Sequence, residues 1–425
     1  MPTLHTAQAI AYALPRLFFS HRASTPHSRD MPAALPQDVF ERVIDLITDR
    51  ETLCSCALTC RQWLPASRYN LFYRTSIAGR TAFDALVSIR SAPHIASALE
   101  NIHSLQLWED KERPWLHLFP LIFSPRYLRR TFFLTLGEYI WDTYPLPRSF
   151  FLVCTQFDSV TTLKLSDGNF YSFSEFRKVV CAFKRLSRLF VDNVGWRISS
   201  RCTQYSSSSP LPHLQLLWFN PARKGAAEPL IEWLLRTPSM GTLSDVQIRE
   251  EDGNDLPAIQ SLANRLGSNL VHFQLSLRFW TRGASFITHT YAGHSTGDLA
   301  DNRVGLSNNP SLRTLHIRDI DAESGQYLPY LLGQLSPSNL MHLTLYLRIP
   351  GLAELETLKA LWAEVAGILS RDDFLPLQMV TIWLLKVPPS SVTTIPNLVD
   401  EIRNWMPVLD ARSVLRVTPW MFLAN

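Results

Sequence analysis

The chain has no run of five like charges, no Asn-x-Ser/Thr acceptor with a permitted middle residue, and only six cysteines among 425 residues. The first absence argues against a dedicated nucleic-acid grip, which needs clustered Lys and Arg. The other two argue against a secreted, disulfide-framed protein and favour a reducing cytoplasmic or nuclear home. Long apolar runs are missing as well. The most hydrophobic stretch, 114–137, is interrupted by His117, Pro120, Pro125, Arg126, Arg129 and Arg130, so it does not read as a membrane span. Phosphate loops, dinucleotide fingerprints and HExxH zinc motifs do not occur, and no cofactor is implied. Charged residues reach only 18%, against 46% hydrophobic and 11% aromatic. That balance excludes wholesale disorder and points to a large buried core, divided at this length into two or three units.

Residues 1–30 carry Arg16, Arg22 and Arg29, no acid before Asp30, and the apolar run Ala7 to Phe19. A disordered tail and a transit peptide share this composition; the tail is the expectation, because nothing beyond composition supports the peptide. The most informative stretch follows. Pro36 suits the first turn of a helix, in which Val39, Val43, Leu46 and Ile47 share one apolar stripe while Phe40 and Ile44 lie outside it. A second helix after Asp49 aligns Leu53, Cys56, Ala57 and Cys60, and a third piece holds Trp63, Leu64, Tyr69, Leu71, Phe72 and Tyr73. About forty residues cannot hide this much apolar surface by themselves, so the rest of the chain or a partner must cover it. Cys54, Cys56 and Cys60 do not read as a zinc site: Cys54 and Cys56 point about 200° apart on a helix, and structural zinc needs four converging ligands.

The order Leu35-Pro36-Gln37-Asp38-Val39-Phe40-Glu41-Arg42-Val43-Ile44, then Leu53, then Ala57-Leu58-Thr59-Cys60-Arg61-Gln62-Trp63, closely resembles the F-box. The resemblance covers about a tenth of the chain. It implies a three-helix module, here residues 31–76, that docks on the Skp-type adaptor of cullin-RING ubiquitin ligases and through it on the cullin. The adaptor-binding positions it implies are Leu35, Pro36, Val39, Ile44, Leu53, Leu58 and Trp63. Two features depart from the family: the loop between the first two helices is short, and Pro65 stands where the family continues a helix. Pro65 is expected to end or kink that third helix.

Beyond residue 100 the pattern apolar-x-x-apolar-x-apolar recurs. It begins at Ile102, Thr131 (a degenerate copy), Val160, Leu186, Leu214, Leu243, Leu270, Leu312, Leu340 and Leu377, at intervals of 29, 29, 26, 28, 29, 27, 42, 28 and 37 residues. Each copy gives a short strand of period two. Helix-like stretches lie between copies: Phe173 to Leu186, Pro229 to Arg236, Leu256 to Leu266, Tyr327 to Leu335 and Leu352 to Leu369. A strand plus a helix at this period is one turn of a solenoid, which cannot bury its own apolar face alone. The pattern resembles irregular leucine-rich repeats, without the Asn or Cys that often follows the third apolar position; an ordinary α/β domain with a parallel sheet is the alternative. The 42-residue interval contains an insertion near 281–309. Its Gly293-His294-Ser295-Thr296-Gly297 has the form of a nucleophile elbow but lacks the strand before and helix after that the elbow needs. His289, His294, Asp298 and Asp301 there have no metal-ligand spacing that marks a site.

The expected fold is thus an α/β solenoid: an N-terminal three-helix F-box, a linker helix over 77–100, and a leucine-rich-repeat-like horseshoe of about ten strand-helix turns over 101–425. One face of its strands would present the ladder Gln106, Thr135, Lys164, Phe190, Trp218, Gln247, Gln274, His316, Thr344 and Thr381. Arg249, His272, His316, Arg318, His342 and Arg348 make a basic stripe without acids among them. Phe190, Trp218, Arg249, His316, Arg318 and Tyr346 are the candidate substrate-binding residues, suited to an acidic or phosphorylated protein segment. The expectation is a non-catalytic substrate receptor of an SCF-type ligase, with no metal, nucleic acid or membrane as partner. The alternative is a non-ligase scaffold whose F-box-like helices pack onto the solenoid.

Overall fold

The computed structural model describes residues 36–90, 92, 97–123, 125–144, 146–198, 211–222, 226–249, 255–276, 305–335, 339–348, 353–385 and 395–419. The N-terminal tail, Leu35, and Ser295 with its flanking glycines and histidines lie outside the described residues. The Leu-x-x-Leu-x-Leu copies become strands where the pattern puts them: β2 Ser104–Trp108, β3 Phe133–Gly137, β4 Thr162–Ser172, β5 Arg188–Ile198, β6 Leu216–Pro221, β7 Asp245–Ile248, β8 His272–Ser276, β9 Thr314–Ile320, β10 His342–Arg348 and β11 Met379–Leu385. Two more, β1 Arg74–Ala78 and β12 Leu415–Pro419, extend the series at either end. Sheet order equals chain order through all twelve strands, the described pairings are parallel, and the sheet is not closed. This is an α/β fold.

The chain divides into two compact units. One comprises residues up to Leu186 with 196–210, and the other comprises 187–195 with Leu211 onward. In the first, helices α1 Gln37–Asp45, α2 Arg50–Thr59 and α3 Leu64–Tyr73 precede β1 to β4. The segment expected as a linker helix is instead the first strand-helix turn. α3 ends at Tyr73, β1 starts at Arg74, and α4 Gly79–Ile89 follows. In the second unit, the helices Ala227–Leu234, Leu256–Leu266, Leu328–Gly333 and Ala353–Leu369 match the stretches read from the sequence. The expected insertion is shorter at its C-terminal end: Leu306 and Asn309 are buried, and the Asn309 amide donates to the carbonyls of Ala263 and Gly267.

Each copy buries its three pattern positions. From Leu105 and Leu107 through Val380 and Ile382, no inward strand residue of these ten copies is more than 5% exposed. Thr131, the odd member, is buried because its hydroxyl donates to the Ile102 carbonyl of the preceding turn (2.8 Å), which removes the cost of an unsatisfied polar group. Strand entry repeats one device. A single carbonyl, such as that of His103, Gln215, Ser244, Val271 or Arg313, accepts two successive N–H groups of the next strand, using both lone pairs. Buried carboxylates tie helix starts to their neighbours. Asp255 accepts from the N–H groups of Ala227 and Glu228, which open the helix one turn earlier. Glu109 accepts from those of Trp115 and Leu116, and burial pushes its carboxyl above the usual glutamate range.

Alternation alone would turn Glu138, Asp167, Asn193 and Asp319 inward. All four have positive φ, between 51° and 59°, and each stands at the same place, directly after the outward residue Gly137, Ser166, Asp192 or Arg318. The left-handed residue adds a bulge, confirmed by register shifts after Asp192 and next to Leu345. It keeps the polar side chain out of the core and turns Tyr139, Gly168, Val194 and Ile320 inward instead. Asn and Asp tolerate this conformation; β-branched residues do not. Glu138→Ile is therefore expected to lower the urea unfolding free energy by about 1–2 kcal/mol, while Glu138→Gly leaves it level or raises it. Equal losses for both variants would show that the bulge is not what position 138 contributes.

Candidate interaction surfaces

The N-terminal three helices are set by local signals. Asp49 caps α2, accepting from the Thr52 N–H (2.7 Å) and its hydroxyl (2.6 Å), which satisfies an orphan donor of the first turn. Pro65 falls in the first turn of α3 and starts that helix rather than ending it, because a missing N–H costs nothing there. Asn70 of α3 donates to Asp45 at the end of α1 (2.8 Å), and the Phe40 and Trp63 rings meet at 5.7 Å. The module joins its own unit without a spacer. His103 stacks on Tyr73 at 4.6 Å and meets Tyr69 and Phe132 edge-on.

This packing changes which side of α1 is free. Ile44 and Leu53 are 2% and 4% exposed and, with Cys56, Ala57, Leu71 and Phe72, form the module's core. They are corrected from the adaptor-binding set, since a side chain enclosed by its own helices offers no surface to a partner. The apolar stripe of α1 points outward: Val39 is 40%, Val43 54% and Leu46 80% exposed, and Leu58 of α2 is 57% exposed. Pro36 is exposed and Trp63 is half-buried. Val43 and Leu46, exposed on the same stripe, lie outside the set that the resemblance implied, although the 3,4-spaced stripe was legible. The stripe left open which side the other helices would cover. Cys54, Cys56 and Cys60 are half-buried, buried and exposed respectively, and all are thiols.

The second surface is the outward ladder of the strands. The register runs Gln106↔Thr135↔Lys164 in the first unit. In the second it runs Phe190↔Trp218↔Gln247↔Gln274↔His316↔Thr344↔Thr381, as the repeat spacing requires. Phe190 and Trp218 are neighbours, each half-buried. Further along, the Arg318 guanidinium lies over the Tyr346 ring at 4.8 Å, and His316 stacks beside the same ring. Arg249 is exposed.

The stripe is not free of acids, contrary to the sequence reading. Asp319, held outward by its left-handed backbone, bonds Arg348 through one oxygen (3.0 Å) and the Ser276 hydroxyl through the other (3.0 Å). Asp245 acts on His316, though burial dominates and keeps that imidazole below its ordinary pKa. Burial, followed by the nearby charge of Arg249, holds Arg318 below the usual arginine range. Arg348 is thus paired, and the remaining arginines of the stripe are Arg249 and Arg318, the latter beside the Tyr346 ring that His316 also meets.

Comparison with protein-family models and with curated proteins returns no match for this chain. The core and surface assignments on the first module are separable by mutation. Ile44→Ala is expected to cost about 2–5 kcal/mol, whereas Val43→Ala stays within about 0.5 kcal/mol. Hydrogen exchange over residues 37–73 reads both, and a reversed order would put the free face on the other side of α1.

Proposed function

We propose that the chain is the substrate-recognition subunit of an SCF-type cullin-RING ubiquitin ligase. The N-terminal three-helix segment serves as an F-box that docks on a Skp-type adaptor, and the strand-helix turns serve as a leucine-rich-repeat-like solenoid that holds the target. Ubiquitin transfer belongs to other subunits, and the site of action is the cytoplasm or nucleus. No helix among the described residues is long and apolar enough to cross a membrane.

The observation that carries this reading is the exposed apolar stripe Val39, Val43 and Leu46 on α1, together with exposed Leu58 on α2. A helix turns such a stripe to solvent only at a cost unless a partner covers it. The described residues of the chain leave it open, which favours a docking module over helices folded back on the repeats. The order Leu-Pro, acidic-hydrophobic helix, Cys-Arg-x-Trp at Leu35 to Trp63 says what kind of partner it fits. For the target, the Phe190–Trp218 pair is of the sort that anchors interfaces, where aromatic side chains are enriched.

Co-expression with a Skp-type adaptor followed by size exclusion tests the reading. A 1:1 complex is expected, and a Val43→Asp, Leu46→Asp double variant should abolish co-elution while keeping its own elution volume, because both positions are exposed. A folded chain that never co-elutes with the adaptor would turn the interpretation to a scaffold outside any ligase.

A further inference from the structure

The second unit carries a site narrower than a general target-binding face. Asp319 bonds Arg348 through one oxygen and the Ser276 hydroxyl through the other, and its charge acts on the neighbouring Arg318 only after burial, Arg249 and Tyr346. Arg318 is half-buried with its guanidinium carbon 4.8 Å from the Tyr346 ring centre, and its Nε is sealed from solvent with no hydrogen-bond partner. Arg249 follows β7, Ser276 ends β8, and Arg318 lies in β9 in register with Ser276. By strand alternation the three share the outward face, with the two arginines on backbones about 10 Å apart. Two like charges at that separation, one of them partly desolvated, repel each other. The fold maintains this repulsion, and an anion between them would remove it. His316, on the same ring as Arg318, also has a buried Nδ1 without a partner.

Resting on the receptor reading above, we infer that Arg249 and Arg318 receive one phosphate monoester, borne on a phosphorylated Ser or Thr of the target segment. The chemistry selects phosphate over carboxylate. A carboxylate has one charge and two oxygens, which a single guanidinium fork satisfies. A phosphate monoester carries between one and two negative charges near neutral pH and three acceptor oxygens, enough to bridge both arginines and still accept an N–H from the His316 ring. Contact with the Tyr346 ring restrains the Arg318 side chain, so less conformational freedom is lost when it binds. The half-buried rings of Trp218, Phe190 and Trp383 on the same face give the flanking residues of a peptide something to lie on, which free phosphate cannot use.

Arginine footprinting of the full chain with phenylglyoxal, read by mass spectrometry at constant ionic strength, tests this site by site. The probes are inorganic phosphate, an acetyl-Ala-Gly-phosphoSer-Gly-Ala peptide, and its serine and glutamate twins. The phosphopeptide is expected to slow modification of Arg249 and Arg318 while Arg348, held by Asp319, is unaffected. Inorganic phosphate should need about tenfold more to do the same, and the twins should not protect. Arg249→Gln, a change at an exposed position, should weaken phosphopeptide binding about tenfold, as loss of one charged hydrogen bond does. Equal protection by the glutamate twin would make this a carboxylate site, and equal protection by inorganic phosphate would make it a free-anion site. Either result, or protection by the unphosphorylated twin, overturns the inference. The adaptor takes no part in this measurement, so its outcome and that of the co-elution experiment fail separately.

Discussion

No turn of this chain can shelter its own apolar side chains. A strand of about five residues presents two or three inward groups on one edge-thin surface, and only the strands before and after it, with the helices behind, keep water away. Everything else follows from that constraint. The second and third pattern positions of the ten copies are apolar and buried, from Leu105 to Ile382. Polar side chains between the strands reach the neighbouring turn. Thr131 reaches the Ile102 carbonyl, and Thr242 reaches that of Leu214 (2.8 Å). Asn269 and Asn339 donate to Met240 and Pro310, each across 29 residues. Stability in such a stack is a sum of neighbour terms rather than the property of a single central core.

The close stacking also dictates where bulk is forbidden. The Trp108 indole lies against the backbone of Gly137 in the next strand, and the Tyr139 ring against Gly168. A Cβ at either glycine would collide with the ring. Tyr139 in turn stacks on Trp141 at 4.2 Å and meets Phe170 edge-on. This aromatic layer is possible because the left-handed residues Glu138 and Asp167 shift the strand by one and deliver Tyr139 and Gly168 to the inner side. The same bulge in the second unit has an electrostatic result. It holds Asp319 outward, where it pairs with Arg348.

The two surfaces thus differ in physical character. On the N-terminal module the signal is apolar and uncharged, a stripe whose exposure is costly until something covers it. On the ladder of the second unit it is a pair of like charges set among aromatic rings, a cost that an anion relieves. On the proposed receptor reading, this division would serve one constant partner and one conditional partner. Apolar contact is insensitive to modification, whereas a site for phosphate is switched by it.

Period and register were open to reading from the chain alone. Two-residue alternation and a spacing near 28 residues are local properties, and the ladder from Phe190 to Thr381 pairs as that spacing demands. The end strands escaped because their copies are impure. Thr75 stands at the central position of the first, between Phe72 and Ile77. Arg412 opens the last, before Leu415 and Val417, and its guanidinium bonds the Leu375 carbonyl at 3.1 Å. What only the tertiary structure decided is which of two available faces is covered. Helix α1 has apolar residues on two sides, and the choice of Ile44 as core and Val43 as surface rests on α2 and α3, whose packing no periodicity in α1 encodes. The charge of the ladder face was hidden for a similar reason. Whether Asp319 points into the core or out to Arg348 turns on one backbone angle, and that angle is set by the strand on either side.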